Sequence, residues 1–235
     1  MFPLRDDQPT FSTPYITYFL IALNLVIFFF EWQLGVLQGH GALNALIFQF
    51  GVVPRHEIGL LTGAPVFSPG AALMPIFTSM FLHASLFHVL GNMWMLWIFG
   101  DNIEDHLGHF AYLAFYLLCG LAAGLTHILF NANSRVPTVG ASGAIAGVMG
   151  AYFILYPRAR VLIWFPPIFI FPVPAWLMLG YWGVSQFLSG AATALAETAQ
   201  ASGIAFWAHV GGFVVGILLI KLFPQRRHRV RYGTW

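Results

Sequence analysis

Charged side chains are scarce in this sequence, and their scarcity argues against a soluble fold. Asp, Glu, Lys and Arg make up only 8% of its 235 residues, against about 25% in a typical soluble domain. The formal net charge of +2 is too small to indicate a nucleic-acid partner. Because Cys119 is the single cysteine, neither a disulfide framework nor a CxxC metal motif is possible.

Apolar residues, in contrast, are abundant and come in long runs. They make up 59% of the chain, and the mean hydropathy is +0.77. A membrane-spanning helix needs about 20 mostly apolar residues. We therefore predict an all-α membrane protein, a bundle of six transmembrane helices. The six predicted spans are residues 15–33, 80–99, 110–130, 142–156, 173–190 and 204–223.

The distribution of Lys and Arg predicts the orientation of this bundle. Eight of the ten fall on the side of the two termini, which predicts that both termini are cytoplasmic. Residues 1–14 are then a cytoplasmic segment, and residues 224–235 a basic cytoplasmic tail. Residues 15–223 form the six-span body, with a long first loop at 34–79 whose stretch 36–53 we expect at the membrane interface. The N-terminus lacks the features of a cleaved secretory signal, so the first apolar run is a retained span.

The fourth predicted span is short and begins with a serine. From Ser142 to Tyr156 it has 15 residues, or about 22 Å of helix at 1.5 Å per residue. The Ser142 end should therefore stop inside the membrane. A helix end at that depth is tolerated only where it is buried in protein or lines a wet cavity.

Polar residues on three predicted spans fall at similar heights in the membrane. Counted from the nearest charge at the cytoplasmic end of its span, Ser142 lies about 24 Å away, His88 about 20 Å and His209 about 18 Å. Stripes of small residues on the fourth and sixth spans let two helix backbones approach closely. We therefore expect Ser142 and His209 to come within hydrogen-bond reach. The stripes are Ser142/Ala146/Gly150, Gly143/Gly147/Ala151 and Ala208/Gly212/Gly216.

A serine within reach of a histidine is the arrangement of an activated nucleophile. His209 would take the Ser142 proton and later give it to the leaving amine. The tetrahedral oxyanion needs donors, which His88, Asn92 and the Ser142 backbone N–H could supply. Gly140 would let the chain bend into the helix. The acidic residues lie at 6, 7, 31, 57, 101, 104, 105 and 197, away from this site, so we predict a dyad rather than a triad.

Three motifs in this order resemble those of the rhomboid intramembrane serine proteases. They are GASGA at 140–144, AHVGG at 208–212 and HASLFHVLGN at 83–92, with GDNIEDHLG at 100–108 and FPVPAW at 171–176 as further similarities. The resemblance covers roughly residues 15–223. It implies cleavage of transmembrane protein substrates near the outer membrane face, without a cofactor or metal. It assigns Ser142 as nucleophile, His209 as base, and His88 and Asn92 as oxyanion donors.

The remaining motif residues are interpreted as structural. Gly140, Gly143 and Gly212 allow bending and close packing. His83, five residues before His88, should face away from it by about 140° on a continuous helix and tie the first loop to the second span.

The sequence departs from the rhomboid pattern at two places. Met74 and Pro75 stand where many members have Trp-Arg, which alters the anchoring of the first loop. Ala146 stands where some members have a tyrosine that stacks on the catalytic histidine, so another contact must hold His209. Gln186, on the fifth span, is interpreted as facing protein or a substrate entrance.

Other functions fit the sequence less well. A zinc protease would present His at i and i+4 with a Glu between them, and a transporter would carry charged residues mid-span. A soluble α/β-hydrolase would have Gly at position 144, where Ala144 stands. The alternative that stays open is a catalytically silent rhomboid-like protein that binds transmembrane clients. The compact six-span layout suggests a multi-pass protein of a bacterial plasma membrane, and the oligomeric state is left open.

Overall fold

The chain is predominantly helical in a computed structural model that describes residues 2–63, 69–195, 204–224 and 226. Most of the predicted basic tail and Glu197 lie outside the described residues. The α-helices of the described part, in chain order, are α1 Tyr15–Gln38, α2 His40–Phe50, α3 Pro54–Leu61, α4 Pro69–Thr78, α5 Leu86–Leu107, α6 His109–Phe130, α7 Ser142–Leu155, α8 Ala175–Leu195 and α9 Phe206–Leu219.

Each of the six predicted spans coincides with one of these helices, namely α1 and α5 to α9. The largest difference is at the second, which was predicted at 80–99. Helix α5 begins six residues later, at Leu86, because the Ser85 hydroxyl accepts a hydrogen bond from the His88 backbone N–H at 3.2 Å and caps the helix. The chain bends by 83° between Phe81 and Leu86. Residues 80–85 therefore do not continue the span.

Among the described helices, two are long and apolar enough to cross a membrane on their own, and a third qualifies if a bent pair is counted as one span. Helices α1 and α6 meet that requirement, and the bent pair Leu73–Phe81 and Leu86–Leu107 would make a third span if counted as one. Helices α7 and α9 are apolar but have only 14 residues each. That length rises about 21 Å, less than the roughly 30 Å of hydrocarbon in a bilayer. In the most apolar window of α1 only 17% of the residues are buried, which suits a lipid-facing helix.

The long first loop predicted at 34–79 contains more regular structure than its composition suggested. Helix α1 extends to Gln38, and α2, α3 and α4 follow within the predicted loop. The Thr78 hydroxyl donates to the carbonyl of Phe50 at 2.7 Å, joining the ends of α2 and α4. The segment is a set of short helices packed on one side of the bundle rather than an irregular loop.

A three-stranded antiparallel sheet corrects the all-α prediction. Its strands are β1 Phe2–Asp6, β2 Arg160–Phe165 and β3 Phe169–Pro174, in the order β1-β2-β3. Strand β1 pairs with β2 although the two strands are far apart in the sequence, and Pro3 lies opposite Ile163. The sequence prediction missed the sheet because β1 and β2 are far apart in the chain, and because prolines such as those of β1 and β3 are unusual inside strands.

This sheet lies at the end of α7 opposite Ser142. Strand β2 follows α7 in the chain, and Asp6 in β1 accepts a hydrogen bond from the hydroxyl of Tyr152, near the C-terminus of α7. Burial raises the pKa of Asp6 from 3.8 to about 6, with the nearby Asp101 carboxylate adding to the effect and the Tyr152 hydrogen bond opposing it. The docked strand therefore favours the protonated form of Asp6.

This raised pKa predicts a pH-dependent contribution of β1 to stability. The folded protein holds the Asp6 proton up to about pH 6, whereas the unfolded chain releases it near 3.8. The stabilisation is therefore fully present below pH 3.8 and is lost as the pH rises through 6. We expect the melting temperature of the wild type to fall relative to that of Asp6→Asn as the pH is raised from about 4 to about 7. A difference that stays constant over this range would contradict the prediction.

Glu104 fixes the chain where it enters the first helix. Its carboxylate accepts hydrogen bonds from the backbone N–H groups of Ile16 and Thr17, each at 2.8 Å, and from the Thr17 hydroxyl. Helix α1 has no N-terminal cap of its own side chains, so Glu104 of α5 satisfies donors that would otherwise be unpaired. The contact connects the N-terminus of α1 to the C-terminal half of α5.

Candidate active site

Helices α7 and α9 pack with their backbones in contact. A Cβ atom added at Gly212 of α9 would meet the carbonyl oxygen of Gly143 of α7, and one added at Gly216 would meet that of Gly147. Glycine at these positions removes the side chains that would hold the helices apart, as the small-residue stripes predicted. The close approach brings the first residues of both helices to the same place.

Ser142 and His209 meet at this junction. Ser142 is the first residue of α7, and His209 lies in the first turn of α9. His209 Nε2 is 2.8 Å from Ser142 Oγ, a normal hydrogen-bond distance. Both side chains are half-buried. In this geometry a neutral imidazole can accept the hydroxyl proton at Nε2.

Gly140 shapes the turn that leads into Ser142. Its φ of 131° lies in a region that residues with a Cβ rarely adopt, and its backbone N–H donates to the carbonyl of Ser79 at 2.8 Å. A Cβ added at this position would lie 2.7 Å from His88 Nε2. Glycine is needed here both for the backbone conformation and for the close approach of His88.

His88 and Asn92 lie one turn apart on α5 and face the same junction. His88 is half-buried and Asn92 is buried. The Asn92 Nδ2 group has no hydrogen-bond partner among the described residues. A buried amide without a partner is unfavourable, so Asn92 is suited to donate to an oxygen that enters the site.

A cavity of about 500 Å³ opens at this junction. Its wall includes Ala84 and Ser85, which are exposed and mark its connection to the outside. The side chains of the wall that can take part in proton transfer or hydrogen bonding include Ser142, His209, His88, Asn92 and His127. The Ser142 end of the short α7 therefore lines an open cavity, one of the two surroundings expected for it.

The orientation predicted for His83 was wrong. The angle of 140° from His88 assumed one helix, but α5 begins only at Leu86. The bend instead brings the two imidazole rings into edge contact, with centroids 5.1 Å apart. The His83 backbone N–H also donates to the Glu31 carboxylate of α1, at 3.1 and 3.2 Å. His83 therefore links α1 to the ring of His88.

The sequence interpretation missed the partner of His209. Gln186 of α8 places its Oε1 at 2.7 Å from His209 Nδ1. It therefore faces protein, one of the two orientations expected, but its contact with the histidine was not foreseen. The Trp182 ring packs beside the imidazole, with centroids 5.7 Å apart. The only sequence signal was a strongly polar side chain in an apolar span, because the rotation of α8 about its axis is not readable from the pattern.

Fold and site together define a class: a helical protein with membrane-capable helices and a serine–histidine pair in an open cavity between helix ends. Comparison with known proteins gives the family. The model of the Rhomboid domain matches residues 71–226, about two thirds of the chain. This chain belongs to the rhomboid family, which confirms the family prediction, and it is accordingly a membrane protein.

The relatives are longer than this chain. Rhomboid protein 1, mitochondrial, of Saccharomyces cerevisiae is 33% identical over 163 residues, 66% of this chain and 44% of that protein. Presenilin-associated rhomboid-like protein, mitochondrial, of Mus musculus is 36% identical over 135 residues, 55% of this chain and 35% of that protein. The chain thus spans less than half the length of these relatives. Their mitochondrial names do not fit the predicted bacterial plasma membrane.

Proposed function

We propose that this protein is an intramembrane serine endopeptidase that cleaves transmembrane substrates near the outer membrane face. One observation carries the proposal: the 2.8 Å contact between His209 Nε2 and Ser142 Oγ inside a cavity that reaches the surface. A serine that served only as a helix cap would not need an imidazole nitrogen at its oxygen. Family membership supports the same activity.

The first half of the reaction forms an acyl-enzyme. Ser142 Oγ attacks the carbonyl carbon of the scissile peptide while its proton passes to His209 Nε2. The carbonyl oxygen becomes an oxyanion, which accepts hydrogen bonds from the His88 ring, the Asn92 amide and the Ser142 backbone N–H. The C–N bond then breaks, and the proton on Nε2 moves to the leaving amine.

The second half releases the product and restores the enzyme. A water molecule from the cavity loses a proton to His209 Nε2, and its oxygen attacks the acyl carbon. The same donors stabilise the second oxyanion. When the ester bond to Ser142 breaks, the proton returns from Nε2 to Oγ. Protons and electron pairs balance without a cofactor.

We further propose that α1 and α5 to α9 are the six spans, with both termini cytoplasmic. The sheet would then lie on the cytoplasmic side, and the short α7 would hold Ser142 below the outer surface. A substrate helix enters from the lipid and unwinds locally, because its scissile peptide must leave its own helical hydrogen bonds to reach Ser142.

Asn92 provides a test of the oxyanion assignment. Asn92→Ala removes one donor from the developing charge, and we expect kcat to fall about 100-fold or more, the usual effect of losing one such donor. KM should change little, because the contact forms in the transition state. The matched control is Asn44→Ala on the exposed face of α2, which should cleave like the wild type. Equal activity of both variants would remove Asn92 from the mechanism.

The alternative function is a rhomboid-like protein that binds transmembrane clients without cutting them. The deciding experiment reconstitutes the purified protein in liposomes with a helical transmembrane substrate and, in parallel, treats it with a fluorophosphonate probe. Cleavage, or labelling at Ser142 without cleavage of that substrate, would support the protease. A folded protein that neither cuts nor reacts with the probe would support the binding protein.

A further inference from the structure

We propose that Gln186, oriented by Ser185, sets the tautomer of His209 and makes it the base for Ser142. This inference rests on the proposed protease function. It adds to the dyad a positioning residue that the sequence interpretation had not assigned. Gln186 does not touch the reacting atoms. It acts only through the imidazole.

His209 has a hydrogen-bond partner at each of its two ring nitrogens. Nε2 lies 2.8 Å from Ser142 Oγ and Nδ1 lies 2.7 Å from Gln186 Oε1. A neutral imidazole carries one proton, and the partner of one nitrogen decides where that proton resides. The carbonyl oxygen of an amide can only accept a hydrogen bond. The proton is therefore held on Nδ1, and Nε2 is left free to accept the Ser142 proton.

This result depends on which end of the Gln186 amide faces the ring, because a reversed amide would donate to Nδ1. Ser185 decides between the two orientations. Its hydroxyl donates to the carbonyl of Trp182 at 2.6 Å, so its single proton is already used. The Ser185 oxygen can then only accept, and Gln186 Nε2 donates to it at 3.2 Å. The Oε1 end is thereby directed at His209.

These hydrogen bonds run in one direction. The Ser142 hydroxyl donates to His209, Nδ1–H donates to Gln186, the amide NH₂ donates to Ser185, and the Ser185 hydroxyl donates to a backbone carbonyl. The last acceptor is a main-chain group of the same helix and cannot reverse its role. The direction of the whole chain is therefore fixed by the backbone of α8.

One face of α8 supplies the entire support. Trp182, Ser185 and Gln186 are at i, i+3 and i+4, which places them together on the helix surface. Trp182 packs beside the imidazole, where Ala146 of α7 provides no aromatic ring. The two contacts together hold the ring in place and fix its rotation. These contacts hold His209 in place of the tyrosine that some family members have at the position of Ala146.

A neutral amide takes the place that a carboxylate holds in the common serine triad. At His209 the group facing Nδ1 is the Gln186 amide oxygen, at 2.7 Å. A buried carboxylate next to His209 would lose hydration at this depth, whereas an amide orients the ring without placing a full charge there.

The test compares Gln186→Ala with Gln186→Glu in the liposome cleavage assay. Gln186→Ala removes the acceptor, and we expect kcat to fall about 30- to 100-fold with KM unchanged, because the imidazole then loses both its fixed rotation and its productive tautomer. Gln186→Glu restores an acceptor of the same length and should recover at least tenfold of that loss. Ser185→Ala should have an intermediate effect, because the amide is then free to reverse. Gln49→Ala, an exposed glutamine of α2, should match the wild type.

A second measurement reads the tautomer directly and does not depend on activity. In ¹⁵N spectra of histidine-labelled protein, with the His209 signals assigned from a His209→Asn variant, the wild type should show a proton on Nδ1 and a bare Nε2. Gln186→Ala should show a mixture of tautomers. A wild type that does not react with fluorophosphonate but shows this spectrum would refute the protease and keep the positioning role. An unchanged spectrum in Gln186→Ala, or wild-type kcat in that variant, would overturn the inference.

Discussion

Ser142→Ala is expected to abolish peptide-bond cleavage while leaving the fold intact. The substitution removes only the Oγ atom, which is 2.8 Å from His209 Nε2, and alanine suits the helix that Ser142 begins. In serine proteases the loss of the nucleophile or the base lowers kcat by about 10⁶-fold. Product from the variant should therefore fall below detection in the liposome assay.

His209→Ala should cause a similar loss, and the two effects should not add. Each substitution disables the same proton transfer, so the double variant is expected to be no slower than either single variant. Ser189→Ala, on α8, is a matched serine control and should retain wild-type cleavage. Full activity of Ser142→Ala would show that the nucleophile is another group and would end the mechanism proposed above.

Gly212→Ala is expected to have the largest effect among substitutions outside the Ser142–His209 pair. The added Cβ would collide with the carbonyl oxygen of Gly143, a backbone atom that cannot turn aside, so α9 must move away from α7. Overpacking of this kind costs about 1–3 kcal/mol. A displacement of about 1 Å between reacting groups can lower a rate 100-fold. Both the melting temperature and kcat should therefore fall.

Gly91→Ala is the matched control for this prediction. Gly91 also lies in a helix near the site, but a Cβ added there would meet nothing within 4 Å. Because alanine is favoured over glycine in helices by about 0.5–1 kcal/mol, this variant should be at least as stable as the wild type. A Gly212→Ala protein with wild-type stability and rate would show that the backbone contact of α7 and α9 is not needed to align the pair.

The apolar helices of the body and the approach of Ser142 to His209 could be predicted from the sequence. Hydropathy over a window of about 20 residues locates such helices without tertiary information. Glycine and alanine at every fourth position indicate which helices touch at the backbone. Both signals, hydropathy and the spacing of small residues, are local in the sequence. Both also depend on residue types that the membrane environment restricts.

What could not be predicted depends on contacts between distant parts of the chain. Strand β1 pairs with β2 so that Pro3 lies opposite Ile163. No local sequence pattern predicts this pairing. The contact of Gln186 with His209 depends on the rotation of α8 about its axis. The bend before Leu86 changed the position of the His83 ring, which a continuous helix had placed elsewhere.

The separate origins of the three linked side chains have a consequence for engineering the protein. Nucleophile and base come from helices joined through bare backbone, where almost any substitution adds atoms that have no room. Their partner comes from α8, where Met178, Leu179, Ala175 and Gly190 are the buried residues of a 21-residue helix. Libraries of variants at the partly buried positions of α8 beside His209, Trp182 and Ser185, should therefore yield a graded series of turnover rates at nearly constant stability. Libraries at the glycines where α7 and α9 touch should mostly yield proteins that do not fold.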